Sequence, residues 1–104
     1  MDIPQIQIHE AKKEFDQKTS KFVDIRDPDS FRAARIPGAV HLHDGNVQEF
    51  VQNTDKDARV VVYCYHGNSS LSATAFLIDN GFTHVASMSG GFEAWRPVYQ
   101  HEAE

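Results

Sequence analysis

The chain has 104 residues and a formal net charge of −5, which leaves room for one compact domain spanning residues 1–104. A domain of that size buries roughly 65% of the surface its unfolded chain exposes, so a core forms without a disulfide or metal staple. With 40% hydrophobic, 24% charged and 11% aromatic residues and no long biased run, disorder is expected only at the last few terminal residues. The acidic balance lacks the basic footprint that neutralises nucleic-acid phosphates or an anionic membrane, so neither is an expected partner. Met1 to Glu10 has neither a basic n-region nor an apolar h-region, and no segment approaches the roughly 20 apolar residues of a bilayer span; a cytoplasmic protein is expected.

In chain order, a short alternating strand is predicted near Ile6–His9 and a helix near Glu10–Lys18, with Ala11 and Phe15 on one face. Phe22–Arg26 reads as a second strand. Asp27 followed by Pro28 is an N-cap acid with proline at the first helical position, opening a short helix that carries Phe31 and stops before the turn Ile36-Pro37-Gly38. Ala39–Leu42 is the third predicted strand, and Val47, Phe50 and Val51 give Asn46–Asn53 a helical spacing. Arg59–Cys64 is a β-branched run of the kind buried on both faces of a parallel sheet, which makes it the expected central strand. Leu71, Thr74, Ala75 and Ile78, widened by Phe76 and Leu77, predict a largely buried helix closed by Asn80-Gly81. Val85–Met88 is a last strand, and Gly90-Gly91 leads into a short helix bearing Phe92 and Trp95. Strands and helices alternating in this way predict an α/β fold with a mostly parallel central sheet of about five strands flanked by helices.

Cys64 is the only cysteine. It excludes an internal disulfide and any Cys-x-x-Cys motif, so a redox or transfer step at this sulfur needs a second molecule. It falls at the carboxyl end of the predicted central strand, where sites lie in open α/β sheets. The segment Cys64-Tyr65-His66-Gly67-Asn68-Ser69-Ser70 then turns through a glycine-containing loop into a helix for which Ser69 or Ser70 is the expected cap. Backbone amides curled around the sulfur, with the positive end of the helix dipole, form an anion-binding nest that favours thiolate over thiol. A thiolate so placed is a nucleophile facing a site for an anion. The competing reading, a buried hydrophobe at a strand end, accounts for the cysteine but not for the polar loop.

The loop CYHGNSS at Cys64–Ser70, Val23-Asp24-Ile25-Arg26-Asp27-Pro28, and Gly90-Gly91-Phe92-Glu93-Ala94-Trp95 resemble the motifs of rhodanese domains, and together they span most of the chain. The resemblance implies a rhodanese-like fold and a thiosulfate sulfurtransferase activity with Cys64 as persulfide carrier. It further implies thiosulfate as donor, cyanide or a thiol such as thioredoxin as acceptor, and no metal or organic cofactor; a monomer or weak dimer is expected. The substrate-binding candidates are Tyr65, His66, Gly67, Asn68, Ser69 and Ser70. Some rhodaneses carry a basic residue in this loop, whereas positions 65–70 hold none, which leaves a dianionic donor to amides, hydroxyls and His66. His66 is equally well read as an exposed loop residue.

Asp24, Arg26 and Asp27 read as a structural ion pair and a helix cap rather than an acid–base cluster. Ile36-Pro37-Gly38-Ala39 matches the family's turn, although Ala34 and Arg35 replace the usual glycine and histidine before it, a change expected to alter packing more than chemistry. His41 and His43, two apart on a strand, point the same way but lack a further metal ligand. Phe92 and Trp95 read as core residues. A cysteine-dependent phosphatase or arsenate reductase is the nearest enzymatic rival. It uses an arginine fork six residues after the cysteine, where this chain has Ser70. A non-catalytic protein-binding module and a persulfide relay fed by another sulfurtransferase are the remaining readings.

Overall fold

The computed structural model describes residues 2–104. Its elements run β1 (Gln5–Ile6), α1 (Ile8–Gln17), β2 (Lys21–Asp24), α2 (Pro28–Ala33), β3 (Val40–His41), α3 (Val47–Asn53), β4 (Val60–Tyr63), α4 (Ser69–Asp79), β5 (Val85–Met88) and α5 (Gly91–Trp95). The five strands form one sheet in the order β1-β5-β4-β2-β3, and every pairing is parallel. The fold is the α/β class expected, with β4 at the centre.

The period-2 geometry of a strand sorts the core into two layers. Val61 and Tyr63 of β4 join Ile6, Ala11, Phe22, Phe92 and Trp95 on the face covered by α1 and α5. Val60 and Val62 point the other way, toward Leu77, Phe82 and Val85, with Val47 and Phe50 of α3 packed alongside. All four β4 side chains are buried, which explains the unbroken apolar run that marked this strand in the sequence. Ala11 and Phe15 do share a face of α1. The Phe15 ring packs edge-on against Phe22 and Trp95, at 5.9 and 5.8 Å between centroids.

Asp27 caps α2 as its sequence signature predicts, accepting from Ser30 N at 3.1 Å with Pro28 in the first turn. α4 ends in a Schellman arrangement: Gly81 at φ 97° donates to Ile78 O, and Phe82 N reaches back to Leu77 O, each at 3.0 Å. Three expectations need correcting. β1 stops at Ile6 and α1 has begun by Ile8, because Gln7 is already the extended residue that opens the helix. α4 is not largely buried. It sinks only Ser70, Thr74 and Leu77, while Phe76, at 41% exposure, faces outward. Its start is Asn68, whose side chain makes no capping bond, and not Ser69 or Ser70, which are inside the first turn.

Beneath the site lies a buried ion pair. Arg26 Nη2 stands 2.7 Å from Asp24 Oδ2 with both side chains essentially out of water, and it donates also to Ala34 O at 2.6 Å. The guanidinium stacks 4.3 Å over Phe92. Next to it, burial and then the charge of Asp24 push the Tyr63 phenol well above its usual range, so Tyr63 Oη stays neutral and accepts from Ile36 N at 3.1 Å. The pair is thus the structural element read from the sequence. Arg26→Ala leaves a buried carboxylate without a partner and is expected to cost about 3–5 kcal/mol, seen as a lower urea midpoint.

Candidate active site

The chain leaves β2 toward one edge of the sheet and β4 toward the other, so the strand order reverses at the crevice beyond their carboxyl ends. Cys64 follows β4 there, and Arg26-Asp27 follows β2. Tyr65 spans the crevice: its hydroxyl bonds Asp27 Oδ1 and lies 2.9 Å from Ser30 Oγ. Bonds from the Ser30 hydroxyl and amide hold the Asp27 carboxyl below the ordinary carboxylate range.

The loop closes around the sulfur. Gly67 N and Ser70 N each donate to Cys64 Sγ at 3.2 Å, and Ser70 Oγ lies 3.3 Å from it. Burial pushes the thiol up, but the Ser70 hydroxyl and the amides of Ser70, Gly67 and His66 outweigh it, and the Cys64 pKa falls below its ordinary value. None of the groups hydrogen-bonded to the sulfur is a charged side chain, so a thiolate there is favoured by neutral dipoles of the loop and of the first turn of α4.

Holding that loop in place requires two glycines. Gly67 has φ 97°, and a Cβ there would sit 3.0 Å from Gly90 N. Gly91, at φ 62°, packs directly under the Cys64–Tyr65 peptide, where a Cβ would meet Cys64 O at 2.6 Å and Tyr65 O closer still. That approach lets Phe92 N donate to Cys64 O at 2.8 Å and Glu93 N to Tyr65 O at 3.0 Å. The motif Gly90–Trp95 therefore does more than fill the core, although Phe92 and Trp95 are fully buried as expected.

Of the predicted loop residues, Gly67 and Ser70 are brought to the sulfur, and Tyr65 turns its ring toward α2. His66, Asn68 and Ser69 remain exposed around the rim. One buried residue escaped the sequence reading: Ser87 of β5, whose Oγ is 2.7 Å from Ser70 Oγ. A lone hydroxyl inside an otherwise apolar strand was its only signal. His41 Nε2 contacts Arg26 O at 2.6 Å, and His43 Nδ1 accepts from Gly45 N at 3.0 Å. Among the described residues no group of three or more His, Cys, Asp or Glu is placed to hold a metal ion. Arg35 pairs with Glu102 at 3.2 Å, a packing role away from the sulfur.

Ser70→Ala is expected to raise the Cys64 midpoint and slow its alkylation by iodoacetamide about tenfold near pH 7, the worth of one hydrogen bond to a charged group. The direction follows because the hydroxyl bonds the thiolate more strongly than it bonds the thiol, so its loss costs the ionised form more. Alkylation rates across a pH series check it.

A rhodanese-like domain model matches residues 7–97. A protein of Pseudomonas entomophila named thiosulfate sulfurtransferase GlpE is 52% identical over 80 residues, covering 77% of this chain and 73% of its own. A Pseudomonas putida protein of the same name is 48% identical over 100 residues, covering 96% and 88%. Among solved structures, a rhodanese-related protein from Thermoplasma volcanium superposes with a TM-score of 0.84 at 22% identity, over 97% of this chain and 99% of that one. The rhodanese-like domain of an Anabaena protein gives 0.87 at 24% identity, over 100% and 81%. The fold is thus shared with these structures, and the match over residues 7–97 together with relatives about half identical shows that the chain belongs to the rhodanese-like domain family.

Proposed function

We propose that this protein is a thiosulfate sulfurtransferase in which Cys64 carries the sulfur as a persulfide. The observation that supports it most strongly is the cradle of neutral donors around Cys64 Sγ, with two amides at 3.2 Å. The naming of relatives about half identical to this chain as thiosulfate sulfurtransferases points the same way.

In the first half-reaction the Cys64 thiolate attacks the outer sulfur of thiosulfate. A sulfur–sulfur bond forms to Cys64, the bond to the sulfonate sulfur breaks, and sulfite leaves with the electron pair. The charge now rests on the terminal sulfur, within reach of the same loop. In the second half-reaction cyanide, or the thiolate of a small thiol or of a thioredoxin-like protein, attacks that terminal sulfur and returns Cys64 as thiolate. With cyanide no proton is taken up or released in either step, so the site needs dipoles more than an acid or base. No second cysteine is available in the chain to resolve the persulfide, and discharge falls to a separate acceptor.

Tyr65, His66, Gly67, Asn68, Ser69 and Ser70 form the substrate-facing wall in this reading. Gly67 and Ser70 serve the sulfur directly, and exposed His66, Asn68 and Ser69 meet the incoming anion. The phosphatase alternative loses its support at Ser70. The place of the arginine fork is taken by a buried residue whose amide and hydroxyl both approach Sγ. One observation favours a second donor class: positions 65–70 carry no lysine or arginine, so a persulfide on another sulfurtransferase loses less than a dianion does by binding here. Among the described residues no helix is long and apolar enough to cross a membrane, and a cytoplasmic setting suits a thiolate that must stay reduced.

Thiocyanate release from thiosulfate and cyanide is expected to follow ping-pong kinetics, with parallel double-reciprocal lines, and to fall to background in Cys64→Ser. Intersecting lines or residual turnover in that variant would exclude Cys64 as carrier. Slow turnover with thiosulfate but rapid turnover with a protein persulfide would select the second donor class.

A further inference from the structure

β5 reads Val-Ala-Ser-Met and is buried along its whole length. Val85 belongs to the layer beneath α4, while Ala86 and Met88 belong to the opposite one. Alternation turns Ser87 toward α4 and the active-site loop. A hydroxyl there has been taken out of water, which destabilises the fold unless a partner is supplied. Among the described residues its hydroxyl has one hydrogen-bond partner, Ser70 Oγ at 2.7 Å.

Ser70 Oγ lies between two neighbours, Ser87 Oγ and, at 3.3 Å, Cys64 Sγ. It has a single proton to give. An ionised sulfur can only accept, so when Cys64 is a thiolate the Ser70 proton points at the sulfur, and Ser87 donates its own to the Ser70 oxygen. The row then runs one way, Ser87 to Ser70 to sulfur, with every buried polar atom satisfied. Donation into Ser70 polarises its hydroxyl and strengthens its bond to the anion. With a neutral thiol the row can reverse, S–H to Ser70 to Ser87, so Ser87 is also the acceptor that lets Ser70 turn. The backbone of Ser87 is fixed independently, its N–H donating to Pro4 O at 2.9 Å, so the hydroxyl is presented from a rigid strand.

We propose that Ser87 is a positioning residue of the active site, holding the Ser70 hydroxyl as a donor toward Cys64. This rests on the reading of Cys64 as an ionised nucleophile, but its test needs no sulfur donor. The rate of Cys64 alkylation by iodoacetamide is followed across a pH series in the wild type, Ser87→Ala, Ser70→Ala and the double variant. Alanine removes one oxygen from β5 and leaves the bond to Pro4 in place.

Ser87→Ala is expected to move the midpoint upward and slow alkylation near pH 7 by about threefold, less than Ser70→Ala does. In the Ser70→Ala background the second substitution is expected to add nothing, because Ser87 acts through Ser70. An unchanged profile in Ser87→Ala, whatever its thermal stability, would overturn the proposal. So would an equal further shift in the double variant. A wild-type enzyme that titrates as described yet releases no thiocyanate would count against the thiosulfate reading and leave the role of Ser87 intact.

Discussion

Two backbone amides, those of Gly67 and Ser70, stand 3.2 Å from one sulfur. Aiming both at a point requires the chain to leave β4, bend back within six residues and enter α4 with its first amides turned inward. Left to itself such a loop would sample many shapes, and ordering it costs conformational entropy at each residue. The cost is offset from outside the loop: Phe92 and Glu93 at the start of α5 bind the carbonyls of Cys64 and Tyr65. Gly91 makes that approach possible. The geometry around the sulfur is therefore built by an element, α5, that starts twenty-seven positions further along the chain at Gly91, and much of the core holds that element still.

The two layers of the core divide the labour. On one face Trp95 and Phe92, packed with Phe15, Phe22 and Tyr63, anchor α5 and thereby the outer side of the loop. On the other, Leu77 and Val85 hold α4 to the sheet and bring Ser70 beside Ser87. The Asp24–Arg26 pair and the Tyr65 contact with Asp27 tie the end of β2 to the same loop. Neutral dipoles do the electrostatic work. Fixed in a site of low dielectric, they favour the anion without presenting a cation that would itself need a counter-ion. The same arrangement suits a group that is anionic before attack, as thiolate, and again afterwards, as persulfide.

Much of this was legible before any coordinates. The β-branched run into Cys64, the Asp27-Pro28 start of α2, the Asn80-Gly81 stop of α4 and the Val85–Met88 strand each depend on local chemistry, and local chemistry is written in consecutive residues. The position of Cys64 followed from the parallel sheet, since a buried run must end where the chain turns. What stayed hidden depends on contacts between distant segments. Ser87 is an ordinary serine until β5 is laid beside β4, and Gly91 could have been no more than a helix start. Phe76 lay in the helical stripe yet faces outward, because α4 rests on the sheet through Ser70, Thr74 and Leu77. The cap of α4 differs from the sequence reading for a related reason: of the amides that a capping side chain would satisfy, that of Ser70 is spent on the sulfur and that of Leu71 reaches Asn68 O.

Family membership and the cradle together make sulfur transfer through Cys64 the reading that joins all of these features. Its most direct test is intact-mass spectrometry of the wild-type protein after exposure to thiosulfate and removal of the excess. The account predicts a species heavier by one sulfur, absent in Cys64→Ser, that returns to the starting mass when cyanide is added. A protein whose mass never changes, or that gains sulfur equally without Cys64, would contradict it.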